Sequence, residues 1–283
     1  MIPRSKISAL IRAKKKRHRW ALLTAYDAPT AEILEKAGVD FILVGDSVGM
    51  VVLGYPSTTC VSMDEMIHHA KAVRRGAKRS LVIGDMPLQG IQRGPRQALE
   101  SAKRFIHEAG CDAIKLEWGP KALQMTKLLI RHKIPVMGHV GLTPQTARKK
   151  NGFKVQGQDA KSAIEILKAA KAFEGQGVFS VLLECVPREV ARWITRKLRI
   201  PVIGIGAGPD CDGQVLVFHD LVGIFKKFRP RFVKHYAELD SVMTRAVTNY
   251  VREVKTRKFP AKKHSFSMSA KELAEFRNEA KRF

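Results

Sequence analysis

The sequence predicts a closed (β/α)8 barrel, the TIM-barrel architecture, in a single α/β domain. Eight short apolar runs of β type alternate with longer segments of helical period, the signature of βαβ units and a parallel sheet. The runs are apolar throughout rather than alternating, as strands buried on both faces require. Five of them lead straight into one ionisable residue: FILVGDS (41–47), LVIGD (81–85), AIKLE (113–117), IPVMGH (134–139) and VLLE (181–184). A parallel sheet gathers its reactive groups at the carboxyl ends of its strands. Asp46, Asp85, Glu117, His139 and Glu184 therefore define one expected site, and an enzyme is the leading reading.

The chain opens on MIPRSKISALIRAKKKRHRW, which has no acidic residue before Asp27 and is faintly like a transit peptide. It lacks a secretory apolar core, and ALLTAYD (21–27) follows at once, so a short basic helix leading into the fold is expected. Strands are expected at 21–25, 41–45, 81–85, 112–117, 134–138, 179–184, 201–205 and 214–218. Helical periodicity covers 30–37, 62–75, 95–109, 120–132, 159–174 and 188–198, and Gly38, Gly76 and Gly110 stand where helix stops belong. Residues 140–158 form a long connection rich in Gly, Thr and Gln, of the kind that serves as a lid. GIGAGPDCDG (204–213) lacks the GxGxxG and Walker patterns and reads as a tight turn near the site mouth rather than a phosphate cup. In SAKELAEFRNEAKRF (269–283), Ser269 and Glu272 make a capping-box pattern, and Leu273, Phe276 and Ala280 share one face. This predicts an appended amphipathic helix that packs on the same subunit or a neighbour. No low-complexity linker intervenes, so 1–266 is read as the catalytic barrel and 267–283 as a C-terminal helical extension.

A chain of 283 residues that is 45% hydrophobic can bury a large core, which excludes global disorder. Its 51 Lys and Arg outnumber 26 Asp and Glu, a net charge of +25 that favours anionic partners through long-range steering. The cations are spread along the chain, densest at 14–19, 148–150, 226–234 and 255–263, and no zinc-finger spacing or RNP-type motif accompanies them. Specific nucleic-acid binding is therefore not expected; a basic barrel that binds nucleic acid remains the non-enzymatic alternative. Cys60, Cys111, Cys185 and Cys211 are far apart and form no CxxC pair, which suits a reducing cytoplasm rather than a zinc site or disulfide framework. No apolar stretch approaches the ~20 residues that cross a bilayer, so no membrane role is expected.

The strand ends carry the chemistry. Lys115 and Glu117 are two apart in a strand and so face the same side. A buried lysine there needs a partner or a task, either a plain ion pair with Glu117 or a grip on an anionic substrate group. Asp46 and Asp85, each followed by a turn, are turn formers if taken singly. Together with Glu117 and Glu184 they suit a hard cation, Mg2+, held also by water and substrate oxygens. His139 is either a hydrogen-bonded structural group or a site residue. Glu184 among apolar walls suits a general base or, alternatively, the partner of a cation. A Schiff-base aldolase using Lys115 is a rival reading, although the clustered carboxylates oppose a free amine.

The strings TAYDAPTA (24–31), LVGDSVGM (43–50), AVRRGA (72–77), VMGHVGLTPQ (136–145), GFKVQG (152–157), LLECVP (182–187), PVIGIGAG (201–208) and FHDLVGI (218–224) resemble ketopantoate hydroxymethyltransferases, in order and from about residue 5 to 266. The resemblance implies a Mg2+-dependent barrel assembled as a homo-oligomer, a decamer. It implies transfer of a hydroxymethyl group from 5,10-methylenetetrahydrofolate to 3-methyl-2-oxobutanoate, giving 2-dehydropantoate in pantothenate biosynthesis. Asp46 and Asp85 resemble the direct metal ligands, and Glu117 the third acidic residue of the metal site. Ser47 and Lys115 resemble the groups that hold the keto acid, with Asp46 and Asp85 beside it. Glu184 resembles the proton acceptor, and His139 a neighbouring site residue. A metal-dependent lyase of phosphoenolpyruvate type on a related barrel is the enzymatic alternative. Three features depart from the family pattern: Trp118 directly after Glu117, placed to reshape the folate side of the cleft; the basic Arg148–Lys150 with Asn151-Gly152; and the helix beyond Phe266.

Overall fold

A computed structural model describes residues 4–145 and 154–283. Helix α1 (Arg4–Lys15) leads into strands β1 (Trp20–Thr24), β2 (Phe41–Val44), β3 (Leu81–Asp85), β4 (Ala113–Glu117), β5 (Val136–Gly141), β6 (Ser180–Glu184), β7 (Val202–Ile205) and β8 (Gly213–Leu216). Each strand pairs in parallel with the next, and β8 pairs with β1 to close the barrel. The helices of the first unit are α2 (Ala28–Lys36), the single turn α3 (Val48–Val51), α4 (Met63–Gly76), α5 (Pro95–Lys103), α6 (Ala122–Arg131), α7 (Ala160–Gln176), α8 (Arg188–Lys197) and the single turn α9 (Phe218–Leu221). Helix α5 runs on into a π-helical turn over Arg104–Glu108. The predicted barrel is therefore the observed one. The expected lid residues 146–153, including Arg148–Lys150 and Asn151-Gly152, lie outside the described residues.

Strand pleating explains how the core and the site share one barrel. Alternate side chains point inward, and Trp20, Leu22, Phe41, Leu43, Ile83, Ala113, Met137, Leu182, Ile203 and Val215 fill the interior. Ile7, Leu10 and Ala13 of α1 pack against this cluster, which gives the basic N-terminal helix an apolar anchoring face. The outward-facing residues, such as Ile42, Val44, Val82, Ile114, Leu116, Val181 and Val202, form the larger core beneath the helices. Continuing each inward row toward the strand end changes apolar residues into charged ones: Ile83 to Asp85, Met137 to His139, Leu182 to Glu184.

Local signals explain several helix ends. The Ser62 side chain accepts from the Glu65 N–H while Glu65 accepts from the Ser62 N–H, so α4 starts on a full capping box. Gly38 and Gly110 take left-handed φ of 84° and 72° at their stops. Gly76 works differently: it ends α4, but a Cβ there would lie 2.2 Å from the Ala28 carbonyl oxygen, so the position requires close approach of backbones.

The chain divides into two compact units, Met1–Tyr236 and Ala237–Phe283. The second unit holds α10 (Leu239–Lys255) and α11 (Ala270–Ala280), the latter capped by Ser269 as expected. Helix α10 exposes Val242, Met243, Val247, Tyr250, Val251 and Val254. Among the described residues no helix is long and apolar enough to cross a membrane.

Candidate active site

Ladder register brings the expected site residues together. Asp85 of β3 is paired with Lys115 of β4, Glu117 with His139 of β5, and Gly141 with Glu184 of β6. Each charged group therefore has its neighbour one strand away on the inner face. Lys115 Nζ lies 2.6 Å from Asp85 Oδ1 and 3.4 Å from His139 Nδ1. His139 Nδ1 is 3.4 Å from Glu117 Oε1, and its Nε2 is 3.2 Å from Glu184 Oε2. The Asp46 N–H donates to Asp85 Oδ2 at 3.1 Å, which draws the turn after β2 into the same cluster. Ser47, the next residue, shares a 2.8 Å hydrogen bond with the buried Tyr26 hydroxyl.

Asp46, Asp85, Lys115, Glu117 and His139 are all buried. Their charges settle one another. Burial raises the Asp85 carboxyl most; the Lys115 ammonium opposes the rise, Asp46 and Glu117 add to it, and the group stands at about 7. Burial acts against the charge of Lys115, but Asp85, Glu117 and Asp46 outweigh it and hold the amine above its ordinary value. Lys115 is therefore a clasped cation, which removes the free-amine nucleophile that a Schiff-base aldolase needs. The plain Lys115–Glu117 pair gives way to Asp85, which sits opposite in the ladder. Burial and Lys115 lower His139, yet hydrogen bonding to Glu117 and Glu184 prevails and lifts it to about 9.

Four carboxylates against one ammonium and one imidazolium leave excess negative charge in a low-dielectric place, a balance that a cation would restore. Among the described residues, no three His, Cys, Asp or Glu side chains are arranged to hold a metal by themselves. Two oxygens of the cluster, Asp85 Oδ1 and Glu117 Oε1, are nevertheless buried with only their ion-pair neighbours Lys115 and His139 beside them, and neither makes a well-aligned hydrogen bond. An all-oxygen set of this kind suits a hard ion that keeps part of its shell for water and ligand oxygens.

Gln145 was not anticipated. Its side-chain amide donates to Asp46 Oδ2 (2.9 Å) and the Met86 carbonyl (2.8 Å), and its own N–H donates to Glu117 Oε2 (3.2 Å). It ties the loop after β5 to both ends of the acidic cluster. Asp220, Tyr26 and Thr24 also lie at the site, the last capping the chain at the Phe218 N–H (3.0 Å). Above the cluster opens a cavity of about 280 Å3, a size for a small molecule rather than a polymer. It is lined by Asp46, Ser47, Asp85, Lys115, Glu117, His139 and Glu184, so every predicted site residue converges on it. Trp118 does not line it. The indole packs edge-on against Phe173 of α7 at 5.3 Å, on the outer face of β4, because residues 117 and 118 point to opposite sides. The expected reshaping of the cleft by this side chain is thereby corrected.

Residues 4–262 match the family described as ketopantoate hydroxymethyltransferase. The chain belongs to that family. Among its relatives, the 3-methyl-2-oxobutanoate hydroxymethyltransferase of Carboxydothermus hydrogenoformans is 49% identical over 93% of this chain and 95% of its own. That of Oleidesulfovibrio alaskensis is 51% identical over 92% and 90%, and that of Dehalococcoides mccartyi is 48% identical over 97% and 98%. Among solved structures, a phosphoenolpyruvate phosphomutase from Streptomyces platensis subsp. rosaceus superposes with a TM-score of 0.61 at 14% identity, covering 99% of this chain and 98% of that one. A 2,3-dimethylmalate lyase gives 0.59 at 15% identity over the whole of both chains. At such identities the likeness establishes the barrel fold alone, and the ketopantoate hydroxymethyltransferase family rests on the sequence relatives.

Proposed function

We propose that this protein transfers a hydroxymethyl group from 5,10-methylenetetrahydrofolate to 3-methyl-2-oxobutanoate, giving 2-dehydropantoate. The observation that carries the reading is the gradient of exposure across the ring of charges. The Glu184 side chain is 18% exposed toward the cavity, whereas those of Glu117 and Asp85 are 2% exposed. One carboxylate is open to the cavity, and the remainder form a polar floor beneath it.

That floor suits an α-keto acid. Lys115 supplies a fixed positive charge for the carboxylate and keto oxygens, and the Ser47 hydroxyl, oriented by Tyr26, offers a hydrogen bond beside it. Asp46 and Asp85, with Glu117 behind them, would hold Mg2+. Bound there, the ion supplies Lewis-acid stabilisation of negative charge on the keto oxygen. Glu184 accepts the proton from C3 of the keto acid, and the C–H electron pair moves into a C2–C3 double bond with charge on the keto oxygen near Lys115. His139, protonated between Glu117 and Glu184, orients the Glu184 carboxylate through Nε2. C3 then forms its bond to the one-carbon unit, and water replaces the carrier nitrogen on that carbon, leaving tetrahydrofolate. The exposed apolar row of α10 supports assembly as a homo-oligomer, which light scattering would test.

The test is product formation from the keto acid and the folate, with and without chelator, in wild type and Lys115→Met. Formation that needs the folate and is abolished by chelator supports the reading. Cleavage of a substituted keto acid without folate would favour a lyase instead.

A further inference from the structure

The helices of the barrel run back against its strands, so their last turns and the loops after them gather at the amino ends of the strands, opposite the charged cluster. At that end the two signs of charge are treated differently. The carboxylates are occupied by backbone N–H groups. Glu35 accepts from Arg79 and Ser80 before β3, Asp112 from Val82, Glu174 from Arg199 before β7, Asp212 from Val202, and Asp40 from Ala21. The side chains of Glu35, Asp112, Glu174 and Asp212 are left only 12–18% exposed. The cations stand in water instead. Lys16 and Arg17 before β1, Arg131 and Lys133 before β5, and Arg196 and Arg199 before β7 are all exposed, and among the described residues none of the six is paired with a carboxylate. The ends of α1 and α8 form one surface, because Lys14 Nζ donates to the Thr195 and Ile200 carbonyls, each at 2.8 Å. On the flank of α8, Trp193 is 56% exposed, with Lys197 Nζ 5.1 Å from its ring centroid. The chemistry of the cavity uses none of these groups. Fixed cations without fixed counter-charges attract a chain of regularly spaced anions. Four of the six are arginines, whose planar fork matches phosphate oxygens. A lipid surface would need an apolar row to bury, whereas one open indole beside a lysine suits a stacked base.

We propose that the amino-end face of this barrel holds the phosphate backbone of single-stranded nucleic acid, without sequence preference, with one base stacked on Trp193. Fluorescence anisotropy of a labelled oligouridylate tests it on the full chain. The face variant is Lys16→Gln/Arg131→Gln/Arg196→Gln/Arg199→Gln. The control, Arg93→Gln/Arg96→Gln/Lys121→Gln/Lys161→Gln, removes the same charge from exposed positions at the opposite end, where α5, α6 and α7 begin. Circular dichroism verifies that both fold. For about 5–7 phosphate contacts, wild-type log affinity should fall with log salt at a slope of about −3.5 to −5, a loss of roughly 100–1,000-fold between about 50 and 200 mM. The face variant should bind at least about ten-fold more weakly, with a slope of about −1 to −2. Trp193→Ala should bind about five-fold more weakly or worse, and the control should stay within about three-fold of wild type. Equal losses in the face variant and the control would overturn the proposal, because binding would then follow net charge alone. Wild-type affinity in Trp193→Ala would overturn it as well, as would binding to phosphatidylserine vesicles with none to the oligonucleotide, which would make the face a membrane surface. Anisotropy reads this face and product formation reads the cavity, so either can fail without the other.

Discussion

Gly141→Ala is the sharpest perturbation of the geometry around Glu184. Gly141 ends β5 at φ 96° and sits opposite Glu184 in the ladder. A Cβ at this position would lie 2.3 Å from the Glu184 carbonyl oxygen, 2.7 Å from Val186 Cγ2 and 3.2 Å from the Glu184 nitrogen. The same carbonyl accepts the Leu142 N–H at 2.8 Å, so it cannot retreat without losing that bond. Ordinary contact begins near 3.4 Å, so the backbone of residue 184 must shift by about 1 Å. Left-handed strain for alanine contributes ~1–3 kcal/mol, and the overpacking a further ~1–3 kcal/mol. A displacement of about 1 Å at a reacting group is worth about 100-fold in rate. Urea unfolding should therefore show a loss of about 2–6 kcal/mol, with kcat reduced about 100-fold. Gly175→Ala is the control, because Gly175 lies in α7 with nothing within 4 Å of its would-be Cβ. It should gain ~0.5–1 kcal/mol and keep full activity. A Gly141→Ala enzyme with wild-type kcat would refute the claim that this contact sets the base.

Lys115→Met leaves Asp85 buried without its 2.6 Å partner and should cost ~3–5 kcal/mol. Adding Asp85→Asn should recover at least half of that loss in thermal unfolding without restoring activity; a double variant no more stable than the single would contradict the pairing. Gln145→Leu removes the donors to Asp46 and the Met86 carbonyl, and activity titrations should then need 10–100-fold more Mg2+. Glu35 gives a pH signature away from the site. Burial pushes its carboxyl up, but the N–H groups of Ser80, Arg79 and Lys78 prevail and hold it at about 2, below the ordinary 4.5. A depressed carboxyl stabilises the folded state above pH 4.5, and that stabilisation is lost as pH falls toward 2. Wild type should exceed Glu35→Gln by ~1–3 kcal/mol at pH 7, with the gap closing by about pH 2; a gap that does not change with pH would show that the charge is immaterial.

The barrel was legible because its strands are buried on both faces and therefore apolar without interruption. Strand ends were less so. The fifth strand was expected to stop at residue 138, but β5 continues to Gly141 because its far end pairs with β6, leaving His139 inside the ladder. Lys115 and Glu117 could be placed on one face from pleating alone, but the partner of Lys115 depends on register between strands, which the local sequence does not encode. Gln145 carried no signal for the same reason: a glutamine in a polar loop becomes a site residue only when the barrel brings Asp46 and Glu117 beneath it. Helix α10 was missed because its apolar positions are mixed with Arg245, Arg252 and Lys255 and remain exposed in the chain. Trp118 was misjudged because adjacency to Glu117 suggested proximity, whereas a strand sends neighbours to opposite faces.

The most direct test of the central claim is proton exchange at C3 of 3-methyl-2-oxobutanoate in D2O, followed by NMR without any folate. It would be run with Mg2+ and with EDTA, on wild type and Glu184→Gln. Exchange by the wild type that needs Mg2+ and disappears in Glu184→Gln is the predicted result. Undiminished exchange in Glu184→Gln would mean that another group takes the proton, and no exchange in the wild type would mean that this ring of charges serves a different substrate.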